Sequence, residues 1–519
     1  MSVPRGLPIM NILTPINSDL CGVYGQSFAY YTIKERLPII ITKVIDYLSR
    51  ESGNIRSTTG ASEDEIRKAI QYITKLKNEV MTNKKYELLT INTPEAKIWN
   101  QWIEQCDSQY YFTNIWVFTE CYVYRRLKEA FELQPKLSTF DPFFAQKQSA
   151  FDSSLETMCV VSIKMQEFLA KVENDKIKEY LVVLLKLCLW SNKCDLSLSL
   201  GSVEQTTLDP IRLITDLKDK VLVDDSTKVA ELIVTRAENM TKVIDTAAEQ
   251  KDTENEEKEG IPCPSKMTIP STVIFDIVCD NAGYELFSDI CLAHYLISHD
   301  IVKKVRFHVK RIPWFVSDVT PKDFRYVIDG CMQAQFKKEI VAPKSESSEE
   351  SGESFTITSK ELQFLGQEWN KYLENGTFVL MADDFWTSPH VYKDMKKYDP
   401  QLYRKLQFAI AILFKGDLNY RKLLGEKNWN PTTSFDTCLQ GFMPAPVIAI
   451  RTVKADLICG LPKGKFEQII KLDEKWMEKG DYGLIQLCSK CEPLKPSEIP
   501  CSGHPATCEQ AICPPSNVY

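Results

Sequence analysis

Along the chain, apolar residues first recur at helical spacing and later gather into short runs; the texture changes near Thr268. In the first two hundred residues the period is that of a helix burying one face. Ser62 followed by Glu65 is a capping-box pattern, and Ile66, Ile70, Ile73 and Leu76 then fall on one side. Thr93-Pro94 sets a cap and a first-turn proline ahead of Ile98, Trp99 and Trp102. Phe28–Tyr47 and Met158–Leu189 carry similar stripes, read as core-facing helix sides. No repeat of fixed period is present.

From Thr268 onward, short apolar runs alternate with helical patterns, which predicts parallel strands joined by crossover helices. The candidate strands are Val273–Cys279, Val305–Val309, Phe378–Met381, Ile410–Phe414 and Val447–Ile450. The expected fold class is α/β, a three-layer α/β/α sandwich with a mostly parallel sheet and a helical N-terminal part. The expected division is 1–200 for the helical part, 201–487 for the α/β core and 488–519 for a disordered tail rich in Cys and Pro. Two stretches of the core, the acidic 249–260 and the Ser- and Glu-rich 343–354, lack the apolar residues that offset ordering entropy, and read as flexible surface insertions.

Composition narrows the function classes. At 519 residues and 44% hydrophobic, the chain can bury a sizeable core. A net charge of −7 disfavours nucleic acid, whose backbone is bound through clustered Lys and Arg, but leaves room for a small-phosphate site. Met1–Pro15 lacks the apolar core of a secretory signal, and the longest apolar runs are too short or too charged to span a bilayer. The cytosol or nucleus is therefore expected, with no membrane partner. The 17 cysteines then read as reduced thiols, most of them small core residues. In the tail, Cys488-x-x-Cys491 and Cys501-x-x-His504 have zinc-like spacing, but that segment is short and poor in core residues, and a thiol-bearing tail is the plainer reading.

The candidate chemistry lies where strands end. The first predicted strand runs into Asp280-Asn281-Ala282-Gly283, and the segment after the second reaches Asp318 just before Thr320-Pro321. The third runs into Asp383-Asp384, the fourth into Lys415 to Arg421, and the fifth into Arg451-Thr452-Val453-Lys454. In an open parallel sheet, ligands bind beyond the carboxyl ends of the strands. Oxygen donors such as Asp280, Asn281 and Asp318 suit Mg2+ or Mn2+, and Lys454 could neutralise phosphate charge. Any one of these strand ends is equally consistent with a turn or a helix cap.

Several phrases together resemble the damage-control phosphatase family (domain of unknown function 89), in its acidic residue methyltransferase 1-like subfamily. They are Ser27 to Lys34, Lys193 to Ser197, Phe275 to Leu286, Arg311 to Thr320, Phe414 to Arg421, and the RTxK motif Arg451 to Lys454. The resemblance covers roughly residues 20 to 487. It implies hydrolysis of phosphometabolites such as fructose 1-phosphate and fructose 6-phosphate, with Mn2+, Co2+ or Ni2+ as metal. It implies metal ligation by Asp280, Asn281 and Asp318, with Asp280 and Asn281 also near substrate. Asp417, Leu418, Asn419, Tyr420, Arg421 and Lys454 match sugar-phosphate-binding positions. Glu285 and Asp318 match positions tied to S-adenosylmethionine in relatives credited with methylating carboxylates on a partner protein.

Other motifs fail. The five histidines form no HExxH, no GxSxG elbow is present, and Gly460 to Lys465 is one residue short of a P-loop. Asp276 and Asp280 are four apart, not the two of a phosphoaspartyl DxD, so Asp276 reads as structural. The expected function is a metal-dependent sugar phosphate phosphatase. The alternatives are a carboxyl methyltransferase, poorly supported because no GxGxG loop follows an early strand, and a non-catalytic scaffold.

Overall fold

A computed structural model describes residues 9–170, 173–194, 214–254, 272–341 and 354–492. The strands are β1 (Val221–Asp224), β2 (Ile274–Val278), β3 (Lys304–His308), β4 (Lys337–Val341), β5 (Ser354–Thr358), β6 (Phe378–Met381), β7 (Ile412–Lys415), β8 (Val447–Thr452) and β9 (Gly483–Cys488). Seven form one sheet in the order β1-β9-β8-β7-β2-β3-β6, and β4 and β5 pair as a separate antiparallel ribbon. The five strands from β8 to β6 are mutually parallel. β9 runs antiparallel to β8, and β1 follows β9 in parallel, so the sheet is mixed at one edge only.

Both faces of the sheet are covered. Side chains alternate along each strand, and the alternation sends Val278, Phe414, Val447 and Ala449 into one apolar core. Phe275, Ile277, Leu413, Ile448 and Ile450 go into a second core on the opposite face. The result is the three-layer α/β/α arrangement. Each apolar side chain fully buried in either core contributes about 1.5–3 kcal/mol.

The N-terminal helices do not stay on one side. Those at Leu37–Arg50, Glu63–Met81, Pro94–Gln105 and Trp116–Glu132 cover the first face. Those at Leu155–Phe168 and Asn174–Cys194 pack on the second, beside Ser226–Glu254 and Tyr284–Ser298. The local signals read from sequence act as expected. Ser62 and Glu65 close a capping box, Thr93 caps Pro94–Gln105, and Thr320 with Asp323 caps Pro321–Gln333.

Residues 249–254 belong to the Ser226–Glu254 helix, and residue 354 begins β5; the rest of both expected insertions lies outside the described residues. So do Asp195 to Ser197 and, in the tail, Cys501 and His504. Cys488 ends β9 in the core, and Cys491 is exposed. Among the described residues, no helix is long and apolar enough to cross a membrane.

Candidate active site

β2 is the point where the strand order reverses. The chain proceeds from β2 to β3 and β6 on one side, then crosses to β7 and β8 on the other. The crevice at such a switch point is where open α/β sheets bind ligands. Asp280 leaves β2 there, and Gly416 leaves β7 beside it. Gly416 has φ of +81°, and a Cβ on it would lie 1.8 Å from Asp280 Oδ2, so the carboxylate occupies the space a side chain would fill.

The loop after β3 folds back to bring Asp318 alongside. Asn281 and Asp318 form an isolated antiparallel bridge. Val319 N donates to Asp280 O at 2.9 Å, and Ala282 N donates to Ser317 O at 2.8 Å. The loop is strained: Phe315 and Val316 sit at φ +42° and +70°, a costly region for a β-branched residue. Buried Trp314 and the stacking of Phe315 on Tyr124, with ring centroids 4.7 Å apart, hold it there.

The electrostatics of this cluster are unbalanced. Asp318 is 2% exposed, and its Oδ2 has no hydrogen-bond partner; the nearest cation, Lys310 Nζ, stands 3.7 Å away. Burial pushes the Asp318 carboxyl up to about 7, against the pull of Lys310 and Lys147. Burial first, then the charges of Glu285 and Asp318, raise the Asp280 carboxyl well above the carboxylate range. Two crowded carboxylates and one orphaned oxygen are what an oxygen-ligated cation would relieve. Among the described residues no three His, Cys, Asp or Glu side chains form a metal site by themselves, and the Asn281 side-chain amide lies beside the two carboxylates. That amide donates from Nδ2 to Asp280 Oδ2 and Glu285 Oε2, both at 2.9 Å, and its Oδ1 accepts from the Ser317 hydroxyl.

The Gly416–Leu423 helix carries the other predicted residues in several directions. Asp417 Oδ1 accepts from Arg451 Nε at 2.7 Å and from the Lys454 backbone N at 3.2 Å. Arg451 also donates to Leu457 O and Ala455 O, so it shapes the loop that leaves Lys454 exposed. Leu418 is a core residue. Asn419 turns inward, donating to Lys415 O at 2.7 Å, and Tyr420 donates to Gln486 Oε1 at 2.7 Å. Arg421, one of the positions matched to sugar-phosphate binding, faces Glu120 and Glu426 with its guanidinium 3.4 Å above the Trp116 ring, and here it braces the fold. Asp383 and Asp384 also stay out of the cluster, paired with Lys405 and Arg311. Asp276 is structural, held by two 2.6 Å bonds from Arg306.

Three buried lysines surround the cluster, of which Lys310 and Lys422 were not singled out from the sequence. Lys310 directly follows the predicted second strand, which was the available signal. Lys415 ends β7 and bonds Asp289 at 2.7 Å. Lys422 donates to Ser388 O at 2.7 Å, and burial lowers its pKa to about 8. An open cleft of about 730 Å³, lined by Trp102, His390, Tyr398 and others, shares no lining residue with the carboxylate cluster.

Fold and cluster together define an α/β enzyme with its acidic and cationic groups gathered at a topological switch point. The model of the damage-control phosphatase ARMT1-like domain matches residues 32–469, and the chain belongs to that family of phosphatases. It is 35% identical to damage-control phosphatase ARMT1 of Danio rerio over 482 residues, covering 91% of this chain and 97% of that one. To the Homo sapiens protein of that name it is 34% identical, covering 91% and 98%. A crystal structure of a DUF89 family protein from Pyrococcus horikoshii aligns at a TM-score of 0.35 and 12% identity, over 80% of this chain and 95% of that one. So distant a likeness adds nothing to the architecture described above.

Proposed function

We propose that the protein is a divalent-metal-dependent phosphomonoesterase that hydrolyses small sugar phosphates, fructose 1-phosphate and fructose 6-phosphate among them. The observation that carries the reading is Asp318 Oδ2, a buried carboxylate oxygen without a hydrogen-bond partner, set beside Asp280 and Asn281 by a backbone bridge. These three residues would hold the ion, and their oxygens fit Mn2+, Co2+, Ni2+ or Mg2+. When bound, the ion supplies Lewis acidity toward a phosphoryl oxygen.

The remaining work belongs to side chains. Lys310 and Lys422 add positive charge around Asp318, and both lie out of water, where such charge acts most strongly on a developing anion. Lys454, exposed at the end of β8, neutralises the incoming phosphate. Asp417, fixed by Arg451 and the Lys454 amide, offers an oxygen to a sugar hydroxyl. The family supports the phosphatase chemistry; the sugar phosphates rest on the match of the Asp417–Arg421 run and Lys454 to the subfamily pattern.

The test is phosphate release from fructose 1-phosphate by metal-stripped protein re-supplied with Mn2+, Co2+, Ni2+ or Mg2+. Release that returns only with metal supports the reading. Folded protein that releases nothing with any of the four sinks it. Saturable binding of S-adenosylmethionine in a direct titration would instead reopen carboxyl methylation.

A further inference from the structure

Glu285 is matched by resemblance to a methyl-donor position, yet both its carboxylate oxygens are engaged beside the carboxylate cluster. Oε1 lies 3.1 Å from Lys415 Nζ, and Oε2 accepts from Asn281 Nδ2 at 2.9 Å. Lys415, itself fully buried, also donates to Asp289 Oδ1 at 2.7 Å and Cys188 O at 3.0 Å. The ammonium thus hydrogen-bonds Asp289 and Cys188 and forms an ion pair with Glu285. Asp289 is one helical turn beyond Glu285, so the cation staples one face of the Tyr284–Ser298 helix to the end of β7.

The two ends of an asparagine amide have almost the same shape, and only their neighbours decide which way round it sits. For a hard cation the difference is absolute, because the oxygen can ligate and the NH2 cannot. At Asn281 the NH2 points between two carboxylates, Asp280 and Glu285, while the oxygen accepts from Ser317. An ion drawing on Asp280 would weaken that carboxylate as an acceptor. Glu285 is then the group left to hold the NH2 in place.

We infer that Lys415 and Glu285 form a positioning relay that holds the Asn281 NH2 and so sets the sense of the Asn281 amide, leaving the Oδ1 on the Ser317 side as the end able to ligate. This rests on the metal reading above. Glu285 acts through Asn281 and is not itself a ligand. Partners that fix a metal ligand's orientation typically change affinity about 10- to 100-fold when replaced.

The test is Mn2+ affinity, read from the electron paramagnetic resonance signal of free Mn2+ during titration of metal-stripped protein. Glu285→Gln keeps the shape but replaces a pure acceptor with another ambiguous amide. It should weaken Mn2+ binding about 10- to 100-fold, measured below the melting temperature of the metal-free variant, which loses charge from the buried Lys415 pair. Glu285→Asp, which keeps the acceptor on a shorter stem, should lose less and guards against a folding defect in the first variant. In an Asn281→Asp background both ends of residue 281 are oxygens and there is no sense to set. There Glu285→Gln should shift affinity by no more than about twofold. Unchanged affinity in Glu285→Gln alone, or an equal loss in the Asn281→Asp background, overturns the relay and leaves the metal reading standing. Absence of Mn2+ binding by the wild-type protein overturns both.

Discussion

One short helix, Gly416–Leu423, separates two buried charge clusters that have been solved in opposite ways. At its C-terminal half, Arg421 is enclosed by carboxylates: Nη1 bonds Glu120 at 2.6 Å, Nε and Nη2 bond Glu426, and the guanidinium lies flat on Trp116. At its N-terminal end, Asp280 lies over Gly416, and nearby Asp318 keeps an oxygen with no hydrogen-bond partner. A charge cluster that is complete without help braces the fold. One that is left incomplete, in an interior where partnerless charge is costly, is arranged for something that arrives later.

The sharpest way to break this contrast is Asp280→Ala. Phosphate release should fall about 100- to 1000-fold, the scale on which transition-state charge stabilisation is lost, with melting temperature unchanged or raised because a crowded carboxylate is gone. Full turnover would remove Asp280 from the site. Arg421→Ala should do the reverse, costing about 3–5 kcal/mol of stability by stranding Glu120 and Glu426. Below its lowered melting point its Mn2+ affinity should match the wild type; a lost affinity with intact stability would erase the distinction between the clusters. Adding Mn2+ at a hundred times its dissociation constant should stabilise the wild-type protein by about 2.7 kcal/mol, and Asp318→Asn should forfeit most of that gain in a thermal melt.

The smallest effect concerns Lys422. Its folded pKa of about 8 lies below the ordinary lysine value, because burial disfavours the charged form. The neutral form therefore favours the fold. That contribution is fully present above pH about 10 and is lost as pH falls through 8. In metal-free protein, Lys422→Met should raise stability at pH 7 by something on the order of 1–3 kcal/mol, and the gain should shrink as the pH is raised toward 10. A gain independent of pH would point to packing instead of charge.

How much of this was legible beforehand differs between the same two clusters. Asp280, Asn281 and Asp318 stand out in sequence because they follow apolar runs, and a strand's end is marked by where such a run stops. The five strands found that way are the mutually parallel ones, within a residue or two at their ends. β1 escaped because it is four residues long in a charged stretch, and β9, which lies between β1 and β8, was not among the predicted strands. The surroundings of Arg421 were not legible for a different reason. A run of polar residues on a helix fans out over every side, and nothing local says that Arg421 turns toward Glu120, 301 residues earlier, while Asp417 turns toward Arg451. Lys147, which reaches Asp323 at 2.5 Å from 176 residues away, had no sequence signal at all.

The separation between Glu120 and Arg421 also sets a timetable. At 5–20 residues per second, roughly 15 to 60 s of synthesis passes between the two residues leaving the ribosome. Through that interval the Trp116–Glu132 helix, almost every residue of which is buried in the finished protein, has only part of its covering layer available. The nascent chain therefore spends tens of seconds with the apolar side of this helix, Trp116, Val123, Leu127 and Phe131 among it, only partly covered, and with a carboxylate awaiting its cation.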